Sequence, residues 1–169
     1  MFSLQCLNGN YDRFLPDNII PIFIPHALLG DAQQDYCKLV DACPPNLPIF
    51  GFTAIGLKYP AMMPDSIHEL AANYLTEIDK IYQGEIYIFA GWSCGGLIAL
   101  AIQALLKQRQ KKVKTILLDS ASADVFHVRP LESFHRYLRS LILGKAQGEE
   151  ARRSKIGRAS CRERVSNCV

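Results

Sequence analysis

Residues 86–106 read IYIFAGWSCGGLIALAIQALL, and the order of residue types in this stretch decides the architecture. Ile86 to Ala90 is a short apolar and aromatic run bounded upstream by Gly84 and Glu85, the pattern of a strand buried on both faces. Gly91-Trp92-Ser93-Cys94-Gly95-Gly96 follows at once, and Gly96 to Lys107 then reads as a buried helix. A buried strand that passes through a glycine-rich turn straight into a buried helix is half of a βαβ unit, so its neighbouring strands are expected to run parallel to it.

Working outward, Ile19 to Ile24, Ile49 to Phe52 and Val113 to Leu118 are further short apolar or β-branched runs bounded by Pro, Gly or charge, and each predicts a buried strand. Ala32 to Val40 has a helical pattern. So does Ser66 to Tyr82, with apolar residues at 67, 70, 71, 74, 75, 78 and 81. Ser66 can cap that helix, Glu69 completes a capping box and Gly84 follows its end. The alternation predicts an α/β fold, a mostly parallel sheet with helices on both faces.

Composition sets the remaining bounds. With 169 residues, 49% apolar and 21% charged, the chain suits one globular domain and excludes collagen, coiled-coil and disordered classes. The apolar run Leu97 to Ile102 with Ala104 to Leu106 falls short of the roughly 20 residues that cross a bilayer, so no membrane role is expected. The N-terminus lacks a signal-peptide pattern, and a cytoplasmic location is the default expectation. Cysteines at 6, 37, 43, 94, 161 and 168 show neither a C-x-x-C pair nor zinc-ligand spacing, and read as free thiols. The net charge of +3 resides in Lys155, Arg158, Arg162 and Arg164 against Glu163, so the chain before Lys155 is neutral. Lys107, Arg109, Lys111, Lys112 and Lys114 suit a helix C-terminus and have no interleaved aromatics, so nucleic acid is not an expected partner.

The chemistry centres on Gly91 to Gly95, a G-x-S-x-G set at a strand-turn-helix junction. This is the context of a nucleophile elbow, in which a serine occupies a strained turn and the glycines let strand and helix approach. Ser93 is the candidate nucleophile. A serine needs a histidine to take its proton and a carboxylate to orient that histidine, in the chain order Ser, Asp or Glu, His on this fold. Asp119 ends the next strand and emerges at the same sheet edge, so it is the candidate orienting acid. The oxyanion hole draws one amide from the residue after the nucleophile, Cys94, and one from the loop after an early strand, for which Ala27 in Pro25 to Gly30 is the choice. His26 precedes the serine and reads as loop-shaping, and His68 lies on the amphipathic helix beside Glu69. No cofactor or metal is expected.

The runs IFIPHALLGDAQQDYCKLV, LPIFGFTAIG, SIHELAANYLTEI, GWSCGG and LLDSASAD, within about residues 4 to 126, together resemble the thioesterase domains of nonribosomal peptide, polyketide and fatty-acid synthases, which are α/β-hydrolases. The resemblance implies a serine acyl-enzyme formed from a chain carried on the phosphopantetheine of an acyl or peptidyl carrier protein or domain, and released by water or an internal nucleophile. It places a lid at about 125–145, which takes in His127 and His135, and a catalytic histidine after a later strand. Ile156 to Val165 translate a common sequencing-adapter string (ATC GGA AGA GCG TCG TGT AGG GAA AGA GTG), so 154–169 reads as a non-native tail. The expectation is therefore a partial domain over 1–153, its sheet incomplete at the C-terminus, with two triad members and little activity. Two other readings fit the elbow: a generic serine esterase or lipase, and a non-catalytic binding protein of the same fold.

Overall fold

The structure is a computed structural model that describes residues 3–8, 11, 15, 19–27, 30–59 and 62–120. The expected lid, its two histidines and the tail at 154–169 lie outside the described residues. One sheet contains β1 (Ser3–Cys6), β2 (Ile22–Ile24), β3 (Ile49–Thr53), β4 (Ile86–Trp92) and β5 (Lys112–Leu118) in the order β1-β3-β2-β4-β5. β2 pairs in parallel with β3 and β4, and β4 in parallel with β5, as the four apolar runs predict. The burial expected of Val113 to Leu118 is not found: no residue of β5 is buried, and Ile116 and Leu117 are exposed, because β5 is an edge strand of the described sheet. β1, which the sequence reading did not anticipate, adds antiparallel to β3 at the edge.

β3 and β5 are each one residue longer than their expected spans, and β2 and β4 differ by more for local reasons. β2 begins only at Ile22, whose N–H bonds the Pro48 carbonyl at 2.9 Å, because Pro21 has no N–H to give to a ladder. β4 runs on through Gly91 to Trp92 because β5 pairs alongside it as far as Leu118.

The helices are α1 (Ala32–Asp35), α2 (Cys37–Asp41), α3 (Ile55–Lys58), α4 (Ile67–Asp79) and α5 (Cys94–Gln108). The single helix expected over Ala32 to Val40 is broken at Tyr36, whose φ of −114° and ψ of 10° leave the helical region. α4 starts as its sequence predicts: Ser66 Oγ accepts from Glu69 N–H at 3.0 Å. The Glu69 carboxylate reaches back to Asp65 N–H at 3.0 Å, one residue earlier than the usual capping box. α5 stops in a left-handed Gln110 (φ 59°), with Gln110 N–H on the Lys107 carbonyl and Lys111 N–H on that of Leu106, both at 3.0 Å. This is a Schellman closure made without glycine.

Successive residues of each strand face opposite layers, and the core divides accordingly. Phe23, Phe52, Tyr87 and Phe89 pack on α4 and α5, through Leu70, Tyr74, Ile78, Leu97, Ile98 and Ile102 among others. Ile24, Ile49 and Ala90 face the other way, onto Ala32 and Tyr36. Each large apolar side chain buried in this way contributes about 1.5–3 kcal/mol relative to exposure. The basic cluster after α5 is a solvated face, with Arg109 on Asp79 at 2.7 Å and Lys111 on Glu85 at 2.6 Å. No helix among the described residues is long and apolar enough to cross a membrane.

Candidate active site

The β4–α5 junction imposes its geometry on Ser93 because there is almost no space in which to turn. A Cβ on Gly91 would lie 2.5 Å from the backbone of Gly95 and Gly96, and one on Gly95 would lie 2.6 Å from the Pro25 carbonyl oxygen. Only bare glycine lets the strand and helix approach this closely. Ser93 is left at φ 54° and ψ −122°, a conformation that L-residues rarely adopt. Burial pushes the pKa of the adjacent Cys94 thiol up, and the Ser93 side chain opposes the rise.

Asp119 sits beside this turn. Ser93 N–H bonds the Leu118 carbonyl at 3.1 Å, so the residue after β5 emerges next to the elbow, with its own φ at 45°. Three non-glycine residues among those described have positive φ, and Gln110 is accounted for by the helix stop. The other two are the two triad candidates, and such strain concentrates at functional sites. No hydrogen bond among the described residues joins the Ser93 hydroxyl to the Asp119 carboxylate, which is exposed. Ser120, which the sequence reading passed over, braces the turn: its hydroxyl lies 2.9 Å from the Gly91 carbonyl oxygen and 3.2 Å from that of Leu118. A Cβ on Gly96 would meet that hydroxyl at 2.1 Å, so this glycine makes room for it.

Ala27 and Cys94, the two oxyanion candidates, are both buried. The loop of Ala27 abuts the start of α5, since the Gly95 position is hemmed in by the Pro25 and His26 carbonyls. The Ala27 amide lies close to the Asp35 carboxyl: desolvation raises that carboxyl's pKa, the Ala27 amide opposes the rise and Asp31 adds to it. The sequence offered no sign of this contact.

The imidazole of His26 is spoken for. Its Nδ1 lies 2.6 Å from the Ala27 carbonyl oxygen, which can only accept, so Nδ1 carries the proton. The ring meets Tyr74 edge-on at 5.9 Å, and burial lowers its pKa to about 4. His68 is exposed on α4. No hydrogen bond joins either described histidine to Ser93.

A second residue passed over is Tyr36. Its buried hydroxyl accepts from Trp92 N–H at 2.9 Å and donates to the Pro25 carbonyl at 3.1 Å. These two bonds account for the break between α1 and α2. Burial, partly offset by the Trp92 bond, pushes the phenol's pKa up to about 12, so it remains a neutral donor and acceptor. No group of three or more His, Cys, Asp or Glu side chains among the described residues is placed to hold a metal.

Comparison with known proteins gives a consistent result. A model of the family described as "Thioesterase domain" matches residues 20–139. Malpibaldin synthetase of Mortierella alpina is 30% identical over 104 residues, which cover 62% of this chain and 2% of that protein. The conidial pigment polyketide synthase of Aspergillus fumigatus is 32% identical over 93 residues, 54% of this chain and 4% of that protein. The chain therefore spans a small fraction of the relatives it matches. Among solved structures, a four-domain nonribosomal peptide synthetase bound to AMP and glycine superposes with a TM-score of 0.61 at 24% identity, covering 70% of this chain and 9% of that one. That likeness is one of fold.

Proposed function

The chain belongs to the thioesterase domain family, with an α/β-hydrolase fold, and from that premise we propose that it releases acyl or peptidyl chains from the phosphopantetheine of a carrier protein or domain. The observation that carries the reading is Ser93 at φ 54°, held where β4 meets α5 with a second strained residue, Asp119, at the neighbouring strand end. The partner class is supported by relatives named as a polyketide synthase and a dimodular nonribosomal peptide synthase.

In this mechanism a histidine from outside the described residues takes the Ser93 proton, and Asp119 fixes its tautomer. The serine oxygen attacks the thioester carbonyl carbon. The Ala27 and Cys94 amides hold the oxyanion. The C–S bond breaks, the phosphopantetheine thiol leaves with the proton, and the acyl-serine is resolved by water or by a nucleophile within the chain itself.

The test uses the full-length protein and its Ser93→Ala variant. Steady-state release from an acyl-phosphopantetheinyl carrier is compared with hydrolysis of the matching oxygen ester, and labelling by a fluorophosphonate is followed by peptide mapping. The reading expects thioester turnover that falls at least about a thousandfold in the variant, with the label on Ser93. Preference for the oxygen ester would favour a generic esterase, and no turnover with no label would favour a binding protein.

A further inference from the structure

Tyr36 is the only side chain described that hydrogen-bonds to both the elbow and the loop carrying Ala27. Its place follows from where the sheet opens. β2 pairs with β4 at Ile22 to Ile88 and Phe23 to Phe89, and β2 ends at Ile24. β4 continues three residues beyond that pairing, to Trp92, so the backbone on its β2 side outruns its ladder there. The Tyr36 hydroxyl, fifty-six residues away in sequence, takes up the Trp92 N–H and passes its own proton to the Pro25 carbonyl.

The spacing gives this bridge its meaning. Pro25 stands two residues before Ala27, and Trp92 two residues before Cys94, so one buried oxygen atom ties together points within two residues of each amide. The same oxygen lies 3.0 Å from where a Gly95 Cβ would stand, so the elbow turn closes directly over it. We propose that Tyr36 is a positioning residue that sets the separation of the Ala27 and Cys94 amides, and so tunes the oxyanion hole without touching substrate. The proposal rests on the serine acyl-enzyme reading above. It adds a residue to that machinery and assigns a catalytic reason for the break between α1 and α2.

Phenylalanine retains the ring and its packing but removes the bridge. In the full-length protein, with a hexanoyl N-acetylcysteamine thioester as substrate, Tyr36→Phe is expected to lower kcat about ten- to a hundredfold and leave KM within about threefold, because misplaced donors act mainly on the transition state. Butylboronic acid, which forms a tetrahedral anionic adduct on an active serine, should lose affinity by a similar factor. A purely structural role would not move these two readouts together while sparing KM. Tyr36→Gln, whose amide supplies both a donor and an acceptor, should recover part of kcat. It also keeps the test decisive if the phenylalanine protein does not fold, since a Gln variant with normal KM and weakened boronate binding supports the bridge. A Phe variant with kcat within twofold of the parent or with unchanged boronate affinity overturns the proposal, as does a folded Gln variant whose KM shifts along with its kcat or whose kcat is no better than that of Phe. Ser93→Ala runs alongside: turnover surviving that change condemns the serine reading itself, whereas turnover abolished there and intact in Tyr36→Phe condemns only the role given to Tyr36.

Discussion

Acidifying the protein should weaken its fold through one imidazole. His26 is 8% exposed, and its Nδ1 is committed to the Ala27 carbonyl at 2.6 Å. Burial depresses its pKa from 6.5 to about 4. A depressed folded-state value means that the unfolded chain binds the proton more readily, so the contribution to stability is complete above pH 6.5 and is lost as pH falls toward 4. Between pH 7.5 and pH 4.5 the linkage relation gives a loss of about 2.5 kcal/mol from this group alone. Against a typical domain stability of about 5–15 kcal/mol that loss is measurable without being fatal. The assay is urea unfolding of the full-length protein and of His26→Gln across that pH range, read as the difference between the two, which cancels the contributions of other titrating groups. The difference should shrink by about 2.5 kcal/mol on acidification. A difference that stays flat, or an NMR titration of the His26 ring with its midpoint near 6.5, would refute the reasoning.

The elbow glycines should differ in kind. Gly91→Ala drives a Cβ into backbone atoms at 2.5 Å that cannot move without parting β4 from α5, so a loss of about 1–3 kcal/mol in stability and of most activity is expected from thermal unfolding and thioester turnover. Gly96→Ala meets side-chain atoms at the end of β5 rather than the backbone of its own junction, with Ser120 Oγ at 2.1 Å, Ser120 Cβ at 2.6 Å and Leu117 Cδ2 at 3.1 Å, so Ser120 must shift and the damage should be milder in both measurements; equal damage would discredit the close-approach argument. In the 169-residue chain, carrier-thioester turnover should be low and unchanged in His127→Ala and His135→Ala. Turnover that is lost in either variant would identify the general base as one of these two.

What was legible in the sequence and what was not separates by the range of the forces involved. The elbow could be read because its requirements are local: a strand, a turn too tight for side chains at Gly91 and Gly95, and a helix, all within one window. Asp119 could be placed at the same edge because parallel pairing of β4 with β5 fixes where the second strand ends. The capping of α4 was legible for the same reason, although Glu69 reaches Asp65 rather than Ser66. Short-range pattern fails where a distant hydrogen bond outweighs local propensity. Ala32 to Val40 has a helical pattern throughout, yet Tyr36 leaves the helix so that its hydroxyl can serve Trp92 and Pro25. β1 is held by its pairing with β3, and a four-residue edge strand with two apolar side chains carries too little periodicity to stand out. Ser120 and Asp35 escaped notice because a serine after a strand and an aspartate at a helix end are common surface choices, and only the folded chain sets one against the Gly91 carbonyl and the other against the Ala27 amide. The nucleophile turn is thus written in contiguous residues, while the parts that would set its oxyanion geometry come from separate segments that meet only once the sheet has formed. If Tyr36 sets the separation of the two amides as proposed, chains sharing this elbow can diverge in rate at that position while looking alike in motif.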